Sequence, residues 1–499
     1  MDFEKDKKED IGVTLNDSDG KMLTIRQVKD SYDTTHIITK LLGQGGQGIV
    51  CRTENPEIVV KFTLNHEGQL ISREKNKLEF ESNDAVFKSI VYKPFPDRIH
   101  LAYPMARLSD YSGYVMRLMG DMTSLSELVP TSEEGIKNLA KDGGHRRRFL
   151  LLSKLAALLA KIHANGMVYC DLSPNNVFIT KDSELETQNV WLIDADNVFI
   201  PGEETDKLVY TPRYVAPELL VQKSCSQNSD IYSYATLAFE TLSAIHPFAG
   251  EKTTNWSDDS GDDWDVSMDN KNDSLPVIDS QYSGKYPWVE DIEDKSNHTK
   301  DGLPRQNFLT DEMFVLFNKS FCEEGRKVPK TRPTASLWAR AFAHSYALSV
   351  RCPYCEMSFV YDGTQKDCPW CEKKLPKTLL LKDEKDRVVF AHELIHSDLE
   401  CGDVFSLPEH LFAPFDIDSF YRTEIKVRTV NINGFGIEFK LAQNQIGEKS
   451  FFISINGMEE KIISRYILQI KNGEQYSIVC KDSKSGITRT LKIVLTEEN

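Results

Sequence analysis

The chain has 499 residues, of which 40% are hydrophobic and 27% charged, and its net charge at pH 7 is −16. This composition is globular and the length suits two to four domains, while the surplus of acidic residues argues against a protein whose main ligand is a nucleic-acid backbone. A polar N-terminus and the lack of an apolar run long enough to span a bilayer predict a cytoplasmic protein, and four of the ten cysteines fall in C-x-x-C pairs, as expected in a reducing compartment.

Residues 1–35 are predicted to be a flexible lead or a short edge hairpin. The pattern G-x-G-x-x-G-x-V then occurs between two apolar runs, at Gly43, Gly45, Gly48 and Val50. This predicts a strand, a glycine loop and a second strand, in which the backbone can close over phosphates. A dinucleotide-binding turn is the alternative, but it needs a helix directly after the glycines, and a turn and another strand follow here.

The next predicted strand, Ile58 to Phe62, carries Lys61 among apolar residues. A buried lysine is costly without a charge partner. Either Lys61 extends to solvent from an edge strand, or it holds phosphates and pairs with a carboxylate of the following helix. A helix is predicted over Leu70 to Ser82, and Glu74 is the predicted partner because it lies on the inward edge of that helix.

Two further strands are predicted over residues 98–107 and 113–118. The second runs into a predicted hinge at Arg117 to Met119. Met116 is interpreted either as the back wall of a base-binding pocket or as an ordinary core methionine.

After Gly120 the pattern becomes helical, with a helix predicted over residues 149–164 and ended by Asn165-Gly166. The basic run His145 to Arg148 before it is interpreted as a solvated helix start, with a substrate or anion contact as the alternative.

The loop that follows has an aspartate and an asparagine, Asp171 and Asn176, and the buried strand after it ends at Asp194. An aspartate can accept a proton from a hydroxyl group, and amide and carboxylate oxygens can hold a metal that bridges nucleotide phosphates. A capping role is the alternative for Asp194, and Asp196 is either a second ligand or a cap.

Three later features complete a known pattern: Ala216-Pro217-Glu218, the helix that begins near Asp230, and Arg332. Together with the glycine loop, Lys61, D-x-x-x-x-N and Asp194, they resemble the eukaryotic-like protein kinases over residues 36–345. The resemblance implies a two-lobed α+β fold, with an N-lobe over residues 36–119 and a C-lobe over residues 120–347.

The resemblance also implies site residues. The catalytic set is Asp171 as base with Lys61, Glu74, Asn176 and Asp194. ATP would be bound by Gly43, Gly45, Gly46, Gly48, Val50, Lys61, Met116, Arg117, Met119, Asn176 and Asp194, with Mg²⁺ held by Asn176 and Asp194. Thr211 resembles the residue that contacts the catalytic aspartate in kinases of serine and threonine.

The chain departs from the family at three positions. Cys170 replaces an arginine before the base, which predicts activity without the usual arginine-mediated switch in segment 195–211. Ser173 replaces a lysine, and this weakens the serine/threonine assignment. Ala195 replaces the phenylalanine of D-F-G. The alternatives are therefore a nucleotide-binding pseudokinase scaffold and a small-molecule phosphotransferase, the latter disfavoured by Ala216-Pro217-Glu218 and the Asp230 helix.

An acidic insert interrupts the helical lobe over residues 250–305. Most of it is interpreted as a solvated loop, with a docking segment for a basic partner as the alternative. Tyr286 to Val289 is predicted to pack on the lobe.

Two C-x-x-C pairs follow, twelve residues apart: Cys352, Cys355, Cys368 and Cys371. Four thiolates at this spacing predict a structural Zn²⁺ site in a zinc ribbon over residues 350–376. A redox pair is the alternative, but its usual βαβ setting is missing.

Residues 375–386 are interpreted as a lysine-rich linker, and residues 387–499 as a small all-β, sandwich-like domain with turns at Asn456-Gly457 and Asn472-Gly473. A forkhead-associated domain is a loose likeness. His392 and His396 are interpreted as ordinary core or surface histidines.

Taken together, these features predict a bacterial ATP-dependent protein kinase, acting on protein serine or threonine, with a C-terminal recognition module. The arrangement resembles kinases of tellurite-resistance-type phosphorylation systems. That resemblance implies a PP2C-type phosphatase and a von Willebrand A protein as partners, and membrane and nucleic acid are not expected.

Overall fold

The computed structural model of the chain describes residues 12–45, 48–93, 95, 99–200, 210–222, 225–254, 282–395, 402–413, 423–431, 434–441 and 449–496. In this part of the chain, no helix is both long enough and apolar enough to cross a membrane.

The N-terminal unit is a twisted antiparallel sheet with one helix packed on it. Its strands are β1 (Val13–Asn16), β2 (Met22–Ile25), β3 (Gln27–Lys29), β4 (Thr35–Gly45), β5 (Gly48–Thr53), β6 (Ile58–Thr63), β7 (Ala106–Arg107) and β8 (Gly113–Arg117), and its helix is α1 (Lys77–Val91). The main sheet has the order β3-β4-β5-β6-β8-β7, while β1 and β2 form a separate hairpin. The described residues of the lead thus form a hairpin, β1 and β2, and the edge strand β3 of the main sheet.

Helix α1 begins later than the sequence pattern predicts. Residues before it make strand-like bridges instead, from Leu70 to Asp17 and Leu64, and from Ser72 to Tyr111. These tertiary pairings override the helical periodicity. The inward face of α1 consists of Phe80, Phe87 and Ile90, which are buried.

The second unit is mainly helical. Its elements are β9 (Met122–Ser124), α2 (Glu133–Asn138), α3 (Gly144–Ala164), β10 (Val177–Thr180), β11 (Val190–Leu192), α4 (Pro217–Gln222), α5 (Gln227–Ser243), α6 (Glu251–Thr254), α7 (Asp311–Phe321), α8 (Glu323–Lys327) and α9 (Ala335–Leu348). The short sheet has the order β11-β10-β9. The core lies around α3 and α5, both buried over nearly their whole length, and α9 packs along α3.

The basic run at the start of α3 is buried, so the prediction of a solvated helix start is wrong. Arg148 is 1% exposed and donates to the carbonyls of Leu128 (2.7 Å) and Gly144 (3.1 Å). Arg147 donates to the Thr180 carbonyl at 2.6 Å. Burial lowers the pKa of Arg148 to about 10 and that of His145 to about 4. Backbone carbonyl oxygens accept hydrogen bonds from these guanidinium groups and so allow their burial. The charge of the residues alone does not predict this.

The insert is described only at its ends, because residues 255–281 lie outside the described part. Trp288 and Val289 are fully buried, which confirms that this segment packs on the lobe. The side-chain amide of Asn297 donates to the backbone carbonyls of Phe248 (3.0 Å) and Pro287 (2.9 Å). These bonds hold the end of the insert against the lobe.

A small hairpin, β12 (Ser349–Arg351) and β13 (Ser358–Val360), follows α9. It packs on the start of α3, where the Arg146 amide donates to Ser358 Oγ at 2.9 Å. The rings of His145 and Trp370 stack with their centroids 5.9 Å apart. An added Cβ on Gly144 would lie 2.4 Å from Ser358 Oγ, so only glycine allows this contact.

The C-terminal unit is formed by two antiparallel sheets. Its strands are β14 (Thr378–Lys382), β15 (Val388–Glu393), β16 (Val404–Pro408), β17 (Thr423–Asn431), β18 (Phe435–Leu441), β19 (Lys449–Ile455), β20 (Met458–Lys461), β21 (Arg465–Gln469), β22 (Tyr476–Asp482) and β23 (Thr488–Leu495). The sheet orders are β15-β14-β23-β22-β19-β20 and β16-β17-β18-β21, and alternate residues of both sheets share one core.

Two details of this unit bear on the predictions. The predicted linker 375–386 contains β14, a buried strand that pairs with both β15 and β23, so the linker interpretation is wrong there. The turn at Asn456-Gly457 joins β19 to β20 with both residues at positive φ, as such a hairpin requires.

An ion pair fixes the C-terminal unit to the helical unit. Arg146 Nη1 lies 2.9 Å from Glu393 Oε1, and its Nη2 lies 3.2 Å from His392 Nδ1. His392 also stacks on Phe405 and is buried, as an ordinary core histidine would be, whereas His396 lies outside the described residues.

Candidate active site

The glycine segment forms a strand hairpin in which Gly43 is opposite Val50 and Gly45 is opposite Gly48. Gly46 lies outside the described residues. Gly48 must be glycine because an added Cβ would stand 2.2 Å from the carbonyl oxygen of Phe62. A strand follows the glycines where a dinucleotide site would need a helix.

Lys61 lies on β6, in register with Val50 of β5. Its side chain is 8% exposed, and its Nζ is 2.6 Å from Asp194 Oδ1. The same ammonium group lies over the ring of Tyr114, 5.5 Å from the centroid. The lysine on β6 of the N-terminal unit and the acid that follows β11 of the helical unit are thus brought together.

Glu74 is not placed as predicted. It is exposed in a turn before α1, because α1 starts only at Lys77. Both glutamates of α1, Glu79 and Glu81, are also exposed. The half-buried polar residues of α1 are Asn83, which donates to Ser112 Oγ at 3.0 Å, and Asp84, which forms an ion pair with Arg107.

Met116 and Arg117 are the last two residues of β8, and the rest of the predicted hinge, to Met119, follows the strand directly. Met116 is half-buried and packs against the core of the helical unit, Met119 is half-buried and Arg117 is exposed. The Leu118 amide donates to the Glu57 carbonyl at 2.7 Å, which ties the hinge to the start of β6.

Asp171 is 8% exposed and accepts two side-chain hydrogen bonds. Thr211 Oγ1 donates to its Oδ1 at 2.7 Å, and Asn176 Nδ2 donates to its Oδ2 at 3.0 Å. Burial raises the pKa of Asp171, although these two bonds favour its ionised form. A raised pKa in a cleft is typical of a catalytic acid or base.

The loop before Asp171 is held by a buried carboxylate on α5. Asp230 is fully buried and accepts hydrogen bonds from the amides of Tyr169 (2.8 Å) and Cys170 (2.7 Å) and from His163 (2.9 Å). Cys170 has φ 74°, a left-handed conformation that these bonds stabilise. This confirms the predicted contact between the Asp230 helix and the loop.

Asp194 follows β11 in a left-handed conformation, with φ 55°. The Ile193 amide donates to the Asn176 carbonyl at 3.1 Å and so joins the two loops. The NH2 group of Asn176 donates to the backbone carbonyl and to Oδ2 of Asp171, and its amide oxygen accepts no hydrogen bond from any described residue. One amide oxygen and one carboxylate are thus available to a hard cation here. Ala195 is fully buried, and the side chain of Asp196 lies outside the described residues.

A second ion pair joins α4 to the segment just before α9. Arg332 is fully buried and forms two bonds with Glu218, at 2.7 and 2.8 Å. It also donates to the carbonyls of Gly325 (2.8 Å) and Asn228 (2.9 Å). The predicted pairing of these two residues is confirmed.

The four C-x-x-C thiols meet at one point, with their Sγ atoms all within 4.8 Å of one another: Cys352, Cys355, Cys368 and Cys371. The distances from Cys352 to Cys371 and from Cys355 to Cys368 are both 3.7 Å. Two bonds of about 2.3 Å at the tetrahedral angle place sulfurs ~3.8 Å apart, so the spacing fits Zn²⁺. Each pair is followed directly by a residue of positive φ, Glu356 or Glu372. The two turns are therefore built alike.

Two features of the site have no signal in the local sequence. The partner of Lys61 is Asp194, 133 positions away, and Tyr114 supplies the ring under the lysine. A long-range pairing of this kind depends on how the two units meet. The hydrophobic periodicity of a local segment carries no information about that.

Comparison with known proteins agrees with this geometry. The family described as "Protein kinase domain" matches residues 120–347. Ribosomal protein S6 kinase 2 beta of Xenopus laevis is 25% identical over 242 residues, covering 46% of this chain and 34% of the relative. Serine/threonine-protein kinase PknA of Mycobacterium tuberculosis is 26% identical over 219 residues, covering 43% of this chain and 48% of the relative.

A shorter match is serine/threonine-protein kinase pkn2 of Myxococcus xanthus, 32% identical over 115 residues, or 22% of this chain and 14% of the relative. The chain thus spans less than half the length of each of these curated relatives.

Proposed function

We propose that the protein kinase domain of this chain transfers the γ-phosphoryl group of ATP to serine or threonine hydroxyls of a protein. The observation that carries this proposal is the meeting of Lys61 with Asp194 beside the Asp171, Asn176 and Thr211 cluster. Phosphoryl transfer needs positioning and charge neutralisation more than covalent chemistry, and this cluster supplies both.

The groups divide the chemistry between them. Asp171 accepts the proton of the attacking hydroxyl, and its position is fixed by Thr211 and Asn176. Lys61 holds nucleotide phosphates. Asn176 and Asp194 would hold Mg²⁺, which would supply positive charge to the phosphates. The glycine hairpin covers the phosphates, and Met116 with the hinge lines the base.

The serine/threonine preference is supported by the Thr211 contact and by the relatives, which are named as serine/threonine kinases. Ser173 and Ala195 leave the chemistry possible because neither is one of the proposed metal ligands. The pseudokinase alternative predicts nucleotide binding without transfer.

The test is a transfer assay with ATP labelled in its γ-phosphate, using wild type and Asp171→Asn. Removing a general base costs roughly 10²–10⁴ in rate, so we expect transfer by wild type and almost none by the variant. Burying the ionised Asp171 carboxylate is unfavourable. The free energy of unfolding of the variant should therefore lie within about 1 kcal/mol of the wild-type value. Equal transfer by both proteins would reject Asp171 as the base. Nucleotide binding without transfer in wild type would favour the scaffold.

We also propose that residues 350–376 form a zinc ribbon and that the two-sheet unit after it is a recognition module. The four-thiol cluster, with two Sγ–Sγ distances of 3.7 Å, supports the binding of Zn²⁺. We expect one Zn²⁺ per chain in reduced protein and loss of it in Cys355→Ser/Cys371→Ser, whereas Cys322→Ser should keep it. A metal content well below one per chain in wild type would reject the ribbon.

The likeness to tellurite-resistance-type systems supports a further proposal, that a PP2C-type phosphatase and a von Willebrand A protein act with this kinase. Co-purification of either protein with the full chain from its own cells tests it, and their absence from such a preparation argues against it.

A further inference from the structure

The end of the acidic insert is built into the helical unit. The described chain resumes at residue 282, and we call residues 282–289 the return segment. Trp288 and Val289 are fully buried, and the Val289 amide donates to the Pro247 carbonyl at 2.8 Å. The return segment is therefore a fixed part of the lobe, although it belongs to an insert.

Tyr282 contacts Arg213 through both its hydroxyl group and its ring. Arg213 Nη1 donates to the Tyr282 hydroxyl at 2.8 Å, and the guanidinium carbon lies 4.9 Å from the centroid of the ring. The Tyr282 ring also packs edge-on against the ring of His246, with the centroids 4.6 Å apart. The insert thus supplies one of the contacts that hold the Arg213 side chain.

The backbone of Arg213 is held by His246. Its Nε2 lies 3.0 Å from the Arg213 carbonyl oxygen, and its Nδ1 accepts from the Phe248 amide at 3.3 Å. Burial lowers the pKa of His246 to about 3, so the ring is neutral near pH 7. Because Nδ1 is an acceptor, Nε2 carries the proton and donates it to the carbonyl. Tyr282 therefore packs on the residue that fixes the Arg213 backbone.

On its other side, Arg213 is compensated by a buried carboxylate of α5. Glu240 is 1% exposed, and its Oε1 accepts from Nε (2.9 Å) and from Nη2 of Arg213. Its Oε2 accepts from the Tyr214 hydroxyl at 2.5 Å. The two charges neutralise each other, so this cluster serves to hold the backbone at Arg213 and Tyr214.

The same stretch of chain touches the proposed catalytic base. Thr211 Oγ1 donates to Asp171 Oδ1 at 2.7 Å, and Thr211 lies only two positions before Arg213, at most ~7 Å along the chain. A hydroxyl that gives its proton to Asp171 must lie roughly 3 Å from it. The protein segment that carries this hydroxyl therefore passes close to residues 211–214, which we call the substrate segment.

A second contact fixes the position of Tyr282. Two residues after it, Gly284 has φ 71°, and an added Cβ there would lie 2.8 Å from Pro217 Cγ. Arg326 Nη1 of α8 donates to the Gly284 carbonyl at 2.8 Å. The return segment thus lies against both the substrate segment and the Ala216-Pro217-Glu218 motif that follows it.

We infer that Tyr282 is a positioning residue of the protein-substrate site, which acts through Arg213 to hold the substrate segment beside Asp171. This rests on the proposed function, because a site for a protein hydroxyl has a use only in a protein kinase. The proposed ATP-binding groups belong to other elements, with Lys61 on β6 and the glycine hairpin on β4 and β5. A change at Tyr282 should therefore alter the handling of protein and leave that of ATP unchanged.

The first test measures initial rates of the full chain with γ-labelled ATP and a peptide pool that is degenerate around a central serine or threonine. Tyr282→Ala should raise the KM for the pool about fivefold to tenfold and leave the KM for ATP within about twofold of wild type. Tyr282→Phe keeps the ring and loses the hydroxyl group, so its increase should be smaller, roughly twofold to threefold.

The matched control is Tyr354→Ala. Tyr354 is an exposed tyrosine of the cysteine-rich hairpin, and Lys373 Nζ lies 4.7 Å from its ring centroid. This is the same kind of contact between a cation and a ring, placed away from the substrate segment. Both KM values of this variant should stay within about twofold of wild type.

The second test requires no phosphoryl transfer. Amide hydrogen exchange followed by mass spectrometry should show several-fold faster exchange over residues 210–216 in Tyr282→Ala, and no change there in Tyr354→Ala. Tyr282→Phe decides the question if Tyr282→Ala lowers the urea midpoint of the whole chain, because the phenylalanine ring preserves the packing.

A third variant tests whether Tyr282 acts through Arg213. Arg213→Gln/Glu240→Gln removes both charges together, so no buried carboxylate is left without its partner. Adding Tyr282→Ala to this variant should change the KM for the pool by less than about twofold, since coupled residues are not additive. A further fivefold rise would show that Tyr282 acts independently of Arg213 and would overturn the inference.

Unchanged exchange over residues 210–216 in Tyr282→Ala would also overturn it. So would an unchanged KM for the pool, an equal rise in the KM for ATP, or an equal effect in Tyr354→Ala. Faster exchange in Tyr282→Ala with no transfer by wild type would reject the proposed function alone. Transfer by wild type with unchanged exchange in Tyr282→Ala would reject this inference alone.

Discussion

Two ion pairs join distant parts of this chain, and they differ in what surrounds them. Lys61 Nζ lies 2.6 Å from Asp194 Oδ1, and the Asp194 side chain remains 24% exposed. Glu218 and Arg332 make two contacts, and the guanidinium of Arg332 is fully enclosed and bonded to further carbonyls. The first pair is open to a ligand, and the second has its bonding capacity filled by the protein.

A buried ion pair can therefore serve either the fold or the chemistry. A buried charge that loses its partner is strongly destabilising, so a closed pair maintains the fold. A pair that faces a cleft can exchange its partner for a phosphate or a metal, so it serves chemistry. Substitutions at the two pairs should therefore separate stability from activity.

The largest effect on stability is expected at the enclosed pair. Glu218→Gln leaves Arg332 without its counter-charge, and we expect a loss of about 3–5 kcal/mol in the free energy of unfolding, measured by urea denaturation. Arg340→Ala is the control, because Arg340 lies 3.6 Å from Glu312 and is 38% exposed. That change should cost no more than about 1 kcal/mol. A similar loss of unfolding free energy in both variants would show that enclosed and exposed ion pairs contribute equally to stability.

The open pair should show the opposite behaviour. Lys61→Met removes a phosphate-binding cation, and we expect the rate of phosphoryl transfer to fall roughly 10²–10³-fold. Its unfolding transition should stay close to that of wild type, because Asp194 can reach solvent. A variant that keeps its activity, or that unfolds as readily as Glu218→Gln, would contradict this assignment.

The pH dependence of activity gives a smaller, directional test. Since burial raises the pKa of Asp171, activity should fall as pH drops through a value above the usual range of about 3.9 for aspartate. Thr211→Val removes a bond that favours the ionised carboxylate, so the acidic limb should move upward by about one pH unit. A downward shift in that variant would exclude Asp171 as the group that titrates.

The smallest effect is expected at Glu74. It is exposed in a turn, so Glu74→Ala should leave the transfer rate within about twofold of wild type. Glu67→Ala, at another exposed glutamate, is the matched control. A loss approaching that of Lys61→Met would restore Glu74 as the partner of Lys61.

The sequence predicted well where chemistry is local to a motif. The glycine hairpin, the Asp171 loop and the cysteine pairs each depend on residues close together in the chain, and their spacing survives in the structure. The Glu218 and Arg332 contact was also foreseen, because the family pattern includes both residues.

The errors share a physical cause. The start of α1, the burial of His145 to Arg148 and the strand β14 all depend on contacts with segments far away in the chain. Leu70 and Ser72 form β-bridges with other segments instead of lying in a helix. Arg148 donates to a backbone carbonyl, a contact that its charge alone does not predict. Periodicity and charge describe a residue's preferences, while tertiary pairing decides among them.

Phosphoryl transfer to protein hydroxyls can be measured directly. The wild-type chain is incubated with γ-labelled ATP, Mg²⁺ and a protein mixture from its own cells, and the labelled amino acid is identified by mass spectrometry, with Lys61→Met as the blank. We predict label on serine or threonine of protein, absent from the blank. Label on tyrosine or on a small molecule alone, or no label above the blank, would contradict the account.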